Sequence, residues 1–399
     1  MNLRPDPTFH ATPKLAMEAP AETLAFTLML SPDGSKPDGL AIVDVDPKSA
    51  TYGQIVHQVI MPNTGDEFHH FGWNACSSAL SPLTGHAFLE RRYLIIPGIR
   101  SSRIYVVDVK EPLKAKIHKI IEPEEVFAKT GYSRPHTIHC GPEGIYVSTL
   151  GGGGPDGTDG PPGIFIMDCE TFEILGRYEM DRGAQDKHYD FWWNLPRDYM
   201  VSSEWGLPPQ FENGLVPEDL LSNKYGHRLH FWDLRGRRNV QTIDLGANHQ
   251  MALEIRPAHD PAKDYGFVGV VVDTTNLQGA IFTWWRNKDG TFEAKKTVTI
   301  DGSTAPGLTV GGSGDLVPVD RRRHAHDPPA ARGGGRDHPV QLPGDGAVVD
   351  DPERRGVRQH LRAQAVRARP LRAALRRRAV PRGRVPRRRA QRRQRRQGG

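Results

Sequence analysis

Only three cysteines, at positions 76, 140 and 169, occur in 399 residues, an odd number without regular spacing. That excludes a disulfide scaffold and fits a reducing compartment. No stretch approaches the roughly 20 apolar residues of a membrane-spanning helix. The opening run MNLRPDPTFHATPKLAMEAPAETLAF also lacks an apolar segment of signal-peptide length. A membrane span is therefore not expected, and a cytoplasmic location is. Long amphipathic helices are missing too, since helical periodicity never persists beyond about two turns.

Scarcity is sharpest toward the C-terminus. The last Tyr is Tyr265, the last Trp Trp285, the last Phe Phe292, the last Lys Lys296 and the last Ile Ile300. Residues 321–399 hold 24 Arg against six acids, a net +18, so the overall +6 conceals an acidic body. Without aromatic area such a segment cannot build an ordinary core, and a disordered Arg-rich tail is expected. Three readings compete for it: a nucleic-acid-binding arm, a plain solvated tail, and out-of-frame translation of a GC-rich gene. Arms that grip bases usually mix Lys with Arg and interleave aromatics. Arg, Ala, Pro and Gly, by contrast, have codons built from G and C. The out-of-frame reading is favoured, and no nucleic-acid partner is expected.

What the body contains is strands. LAFTLML, GLAIVDV, IVHQVI, YLIIPG, SRIYVVDV, GIYVSTL, GIFIMD, EILGRYEM, DYMVSSEW, RLHFWDL, NVQTIDL, FVGVVV, AIFTWW and AKKTVTI are short, rich in β-branched and aromatic residues, and separated by Gly, Pro, Asn and Asp. The class is all-β. One phrase recurs: an apolar strand, an Asp-containing turn and a second strand, as in AIVDVDPKSATYGQIVHQV, IYVVDVKEPLKAKIHKI, IFIMDCETFEILGRYEM and LHFWDLRGRRNVQTIDL. Such a hairpin suits the outer two strands of a propeller blade, which is preferred here to a sandwich.

Chemistry concentrates in two places. DEFHHFGWNACSSAL carries His69, His70, Trp73 and Cys76, and SRPHTIHCGPEGIYVSTL carries His136, His139 and Cys140. Imidazole and thiolate suit copper and zinc, and a cysteine beside histidines can also act as a nucleophile. The spacing matches no standard zinc motif. On a strand, adjacent His69 and His70 face opposite ways, and His136 shares a face with Cys140 while His139 takes the other. In a propeller these stretches, with YDFWWNLPRDYMVSSEWG and ANHQMALEIRPAH, line the axis where ligands bind. Trp73, Trp192, Trp193 and Trp205 either wall a small pocket there or pack in the core. Cys169 and His259 are read as structural, and neither glycine run, 151–154 nor 333–335, resembles a phosphate cradle.

The runs VDVDPKSATYGQIVH, MPNTGDEFHHFGWNACSS, SSRIYVVDV, HKIIEPEEV, YDFWWNLPRDYMVSSEWG, YGHRLHFWDL and LEIRPAHDPAKDYGFVGVVV resemble the selenium-binding protein and methanethiol oxidase family, over about residues 10–300. The resemblance implies a seven-bladed β-propeller. The strands supply about five blades, so the ring is incomplete: residues 1–23 form an N-terminal extension, 24–305 the blades, and 306–399 the out-of-frame tail. It further implies a copper-dependent oxidase that takes methanethiol and oxygen, with water, to formaldehyde, hydrogen sulfide and hydrogen peroxide. Matching positions make His70, His136 and His139 the first metal ligands, followed by His249 and His69. Cys76 matches the cysteine credited with binding selenium or thiols, and Glu204 is expected to orient a ligand histidine. The alternative is a non-catalytic selenium- or thiol-binding propeller acting through Cys76.

Overall fold

The short apolar strands pair only with their chain neighbours, through tight turns and a few longer loops. In a computed structural model of the protein, residues 6–10, 13–75, 87–151, 161–258, 260 and 262–300 are described. Cys76, His259, Gly152–Gly154 and everything from residue 301, including the Arg-rich segment, lie outside the described residues.

Among the described residues the strands form five antiparallel sheets, each a simple meander. Sheet one contains β1 (Leu24–Met29), β2 (Pro37–Asp44) and β3 (Ile55–Thr64). Sheet two contains β4 (Gly72–Trp73), β5 (Tyr93–Pro97), β6 (Ile104–Asp108) and β7 (Lys116–Ile121). Sheet three runs β8 (Pro135–Gly141), β9 (Gly144–Thr149), β10 (Gly163–Met167) and β11 (Ile174–Arg177). Sheet four runs β12 (Phe191–Asn194), β13 (Tyr199–Ser203), β14 (Arg228–Asp233) and β15 (Arg238–Asp244). Sheet five runs β16 (His249–Pro257), β17 (Tyr265–Asp273), β18 (Gln278–Arg286) and β19 (Phe292–Ile300).

Alternating side chains pack each sheet on the next in chain order. Phe26, Leu40, Tyr105 and Val107 fill the seam between sheets one and two, and Ile95, Val106, Ile138 and Phe165 fill the next. Tyr146, Ile166, Phe191 and Trp232 join sheets three and four, while Val201, Phe231, Val268 and Trp284 join four and five. Truncating one of these buried aromatics costs about 3–5 kcal/mol. The fold is all-β and propeller-like, with five consecutive blades and no closed ring among the described residues.

The recurring phrase is the last hairpin of each of the first four sheets. Asp44, Asp108, Asp168 and Asp233 stand at or just after the ends of β2, β6, β10 and β14, and each carboxylate accepts a backbone N–H two or three residues on. An Asp side chain that mimics a turn in this way fixes the hairpin locally. By this landmark β2 corresponds to β6, and β1 to β5. Sheet one therefore lacks, among the described residues, a counterpart of the first strands β4, β8, β12 and β16. Those four strands and the loops at their ends carry the polar residues of the interior.

Candidate metal centre and its relatives

The loop before β4 is pinned by Phe68, which bridges to Gly98 and packs edge-on against Tyr105 at 5.6 Å. With Phe68 buried, the next two residues diverge. His69 turns to the rim, its Nε2 3.1 Å from Glu67 Oε1. His70 turns inward, its ring centroid 4.2 Å from that of His136. The two histidines lie outside any strand, so the strand alternation expected of them does not apply, and the His69 ring also comes within 6.0 Å of the His136 ring.

For β8 the alternation does not hold. Pro135 opposes Thr149 but Ile138 opposes Val147, so a β-bulge adds one residue and resets the side-chain parity. Ile138 and Cys140 enter the apolar seam with sheet two. His139 lies against sheet four, its ring 4.0 Å from Trp192, and His136 lies fully buried at the inner end. Cys140 therefore does not share the face of His136, correcting the period-two reading. Cys169 is also buried in that seam, and neither cysteine forms a disulfide.

Sheet four contributes residues that sequence reasoning missed. Tyr189 lies 4.4 Å from the His136 ring, and its hydroxyl is 3.5 Å from His70 Nε2. Its carbonyl accepts from Ser148 Oγ at 2.9 Å and Thr137 Oγ1 at 3.3 Å, which locks the backbone. Asp190, buried, accepts from Ile255 N at 2.9 Å and Arg256 Nη1 at 3.1 Å, and its other oxygen is 3.5 Å from His139 Nε2. Glu254, from β16, brings Oε1 to 3.7 Å from His70 Nε2. The signal was present: HYD before β12 and EIR within β16 are charged residues interrupting otherwise apolar inner strands.

Electrostatics keeps the imidazoles neutral. Burial pushes His70 down to about 4 against the upward pull of Asp190, and holds His136 well below its ordinary value with help from His70. His139 is lowered by burial although Asp190 opposes it. Burial alone would raise Asp190, but its contacts with His139 and Arg256 outweigh that, and it stays ionised below the usual carboxylate range. His136 Nε2 is shut away from solvent without a hydrogen-bond partner, and its Nδ1 meets Thr137 Oγ1 at 3.1 Å. Two neutral imidazoles with ring centroids 4.2 Å apart, one with a buried nitrogen free of protein partners, are a donor set that fits a borderline metal such as copper. Among the described residues, however, no three His, Cys, Asp or Glu side chains converge at metal-binding distances.

The other residues expected at the centre lie elsewhere. His249 Nε2 is 3.2 Å from Asp273 Oδ2 and 3.2 Å from Lys296 Nζ, at the opposite end of β16 from Glu254. Glu204 binds His230 Nε2 at 2.8 Å and Arg228 Nε at 3.1 Å, so the histidine it orients is His230, not His70 or His136. Cys76, outside the described residues, follows β4 by three positions.

The family model described as 56kDa selenium binding protein (SBP56) matches residues 3–318. The chain belongs to this family. It is 42% identical over 302 residues to a methanethiol oxidase of Xenopus laevis, covering 75% of this chain and 61% of the relative. It is 39% identical over 303 residues to selenium-binding protein 2 of Mus musculus, with the same coverage of 75% and 61%. Among solved structures, a hypothetical selenium-binding protein from Sulfolobus tokodaii superimposes with a TM-score of 0.70 at 51% identity, over 74% of this chain and 64% of that one. The chain thus spans about three fifths of the length of the curated selenium-binding relatives it matches.

Proposed function

We propose that this chain carries the metal-binding core of a copper-dependent methanethiol oxidase. The observation that carries the reading is the His70–His136 pair: two neutral imidazoles 4.2 Å apart, one with a buried nitrogen that has no protein partner. Copper bound there would hold the soft sulfur of a thiolate and pass its electrons to oxygen. The overall change is methanethiol, oxygen and water to formaldehyde, hydrogen sulfide and hydrogen peroxide. Beside the pair lies an apolar wall of Ile99, Leu150, Tyr189, Trp205 and Leu253, with Trp205 stacked on Phe211 at 4.2 Å. A one-carbon thiol matches such a wall better than a charged thiol would. His139 and Asp190 lie one step behind, where Asp190 steadies the ring without reaching the pair.

The rival is a binder that captures selenium or a thiol through Cys76. It draws support from the relatives' names and from Cys140 and Cys169 being committed to the core. Copper binding and methanethiol-dependent peroxide release separate the two. His136→Ala should weaken copper binding at least about tenfold, the usual effect of losing one ligand or its support. Cys76→Ser should keep copper but lose selenite-derived labelling. Unchanged copper affinity in both His70→Ala and His136→Ala would sink the metal assignment.

A further inference from the structure

The inner end of sheet four holds a second polar group, which the proposed oxidation leaves unused. His188, just ahead of Tyr189, is 1% exposed, and neither ring nitrogen has a hydrogen-bond partner. Gln185, also buried, accepts from Ser202 Oγ at 3.2 Å, while its side-chain nitrogen has no acceptor. Ser202 sits directly across from His230 in the β13–β14 ladder. His230, fully buried, leads to Glu204 at 2.8 Å, and Glu204 leads to Arg228 at 3.1 Å. Arg228 in turn bonds Asp186, whose side chain is 62% exposed.

His188 acts electrostatically on His136, and His230 and Asp190 act on it in turn. Buried polar atoms without partners are rare in native folds, and Gln185 and His188, three positions apart in the chain, carry three of them. A neutral imidazole offers one donor and one acceptor, and the Gln185 amide adds two donors. Water complements that set, and polar cavities hold water where apolar ones stay dry.

We propose that Gln185, His188 and Ser202 enclose a chamber of buried water, which with His230 and Glu204 forms a proton and water path from the imidazole pair toward solvent, with Arg228 holding Glu204 in place beside the exposed Asp186. The transport role rests on the oxidase reading; the chamber itself does not. Methanethiol and water give formaldehyde, hydrogen sulfide, two protons and two electrons, and oxygen takes up those two protons and two electrons to become hydrogen peroxide. Water must enter for the first half, and protons must be held between the halves. His188 can pass a proton by accepting at one nitrogen as it releases from the other, without holding a net charge.

A high-resolution crystal structure of the chain should show ordered water within hydrogen-bond distance of both His188 nitrogens and of Gln185 Nε2. A dry chamber, or protein atoms bonded to those nitrogens, would overturn the site. His188→Leu and Gln185→Leu should each slow peroxide release about tenfold or more and raise its solvent deuterium isotope effect, with copper content and KM for methanethiol unchanged. His188→Gln, which keeps a donor and an acceptor, should recover most of the rate. Parent-like rates in both Leu variants would overturn the path. Ordered water in a parent protein with no peroxide release would sink the oxidase reading, and the path with it, while the chamber stands.

Discussion

Buried neutral imidazoles set the acid limit of this fold. His188 is pushed down to about 3 by burial, His70 to about 4, and His136 well below its ordinary value. In the unfolded chain each titrates near 6.5. Below that pH the unfolded chain binds protons that the folded one refuses, so stability present above 6.5 is lost as pH falls toward 4. Each such group contributes a slope of about 1.4 kcal/mol per pH unit. Urea unfolding of metal-free protein between pH 7.5 and 5 should show this, and His188→Gln should remove about one histidine's share of the slope. An unaltered slope would mean that His188 is protonated, or exposed, in the folded state. At this scale the sequence revealed His70 and His136 by their clustering with cysteine. Tyr189, Asp190 and Glu254 were legible only as polar interruptions of apolar strands, a signal that assigns no role until the fold brings them beside His70 and His136.

At the scale of the element, the contact between β4 and β8 positions the two imidazoles. Gly72 lies so close to β8 that an added Cβ would sit 2.5 Å from the Ile138 carbonyl oxygen and 2.7 Å from its Cγ2. Backbone at that distance cannot yield cheaply. Gly72→Ala should destabilise the protein by about 1–3 kcal/mol, the range for overpacking a tight core, and weaken copper binding by separating His70 from His136. Gly269→Ala is the control, since nothing lies within 4 Å of its added Cβ. It should be neutral or slightly stabilising, because it restricts the unfolded chain. Equal urea midpoints for the two variants would reject the close-contact argument. The Asp-turn hairpins were legible in sequence because their signal is local. The inner strands were not, because β4 has two residues and β8 is broken by a bulge, so neither sustains the period that identifies a strand. That bulge is also why the Cys140 and His139 faces came out reversed.

Across the whole molecule, the repeat of one hairpin phrase every few tens of residues made the blade count readable, since each phrase ends one sheet. What composition could not reveal is the state of the last blade face. In sheet five, Gly269 aligns with Ile281 and Val298, Gly279 with Ile300, and Phe267 with Thr283, all on the side away from the seam with sheet four. Phe267, Val271, Val298 and Ile300 are all exposed there. Among the described residues, the seams between successive sheets bury their apolar rows. A contiguous apolar face of this kind drives association, and the Lys295–Lys296 pair on the edge strand β19 blunts only the edge, not the face. The chain should therefore bind an apolar fluorescent dye and show a sedimentation coefficient that rises with concentration. Replacing Phe267 and Val271 together by Thr, which keeps strand propensity, should reduce both signals and leave the urea midpoint unchanged, because neither side chain is buried. If dye binding and association persist in that variant, the exposed face of sheet five is not their source.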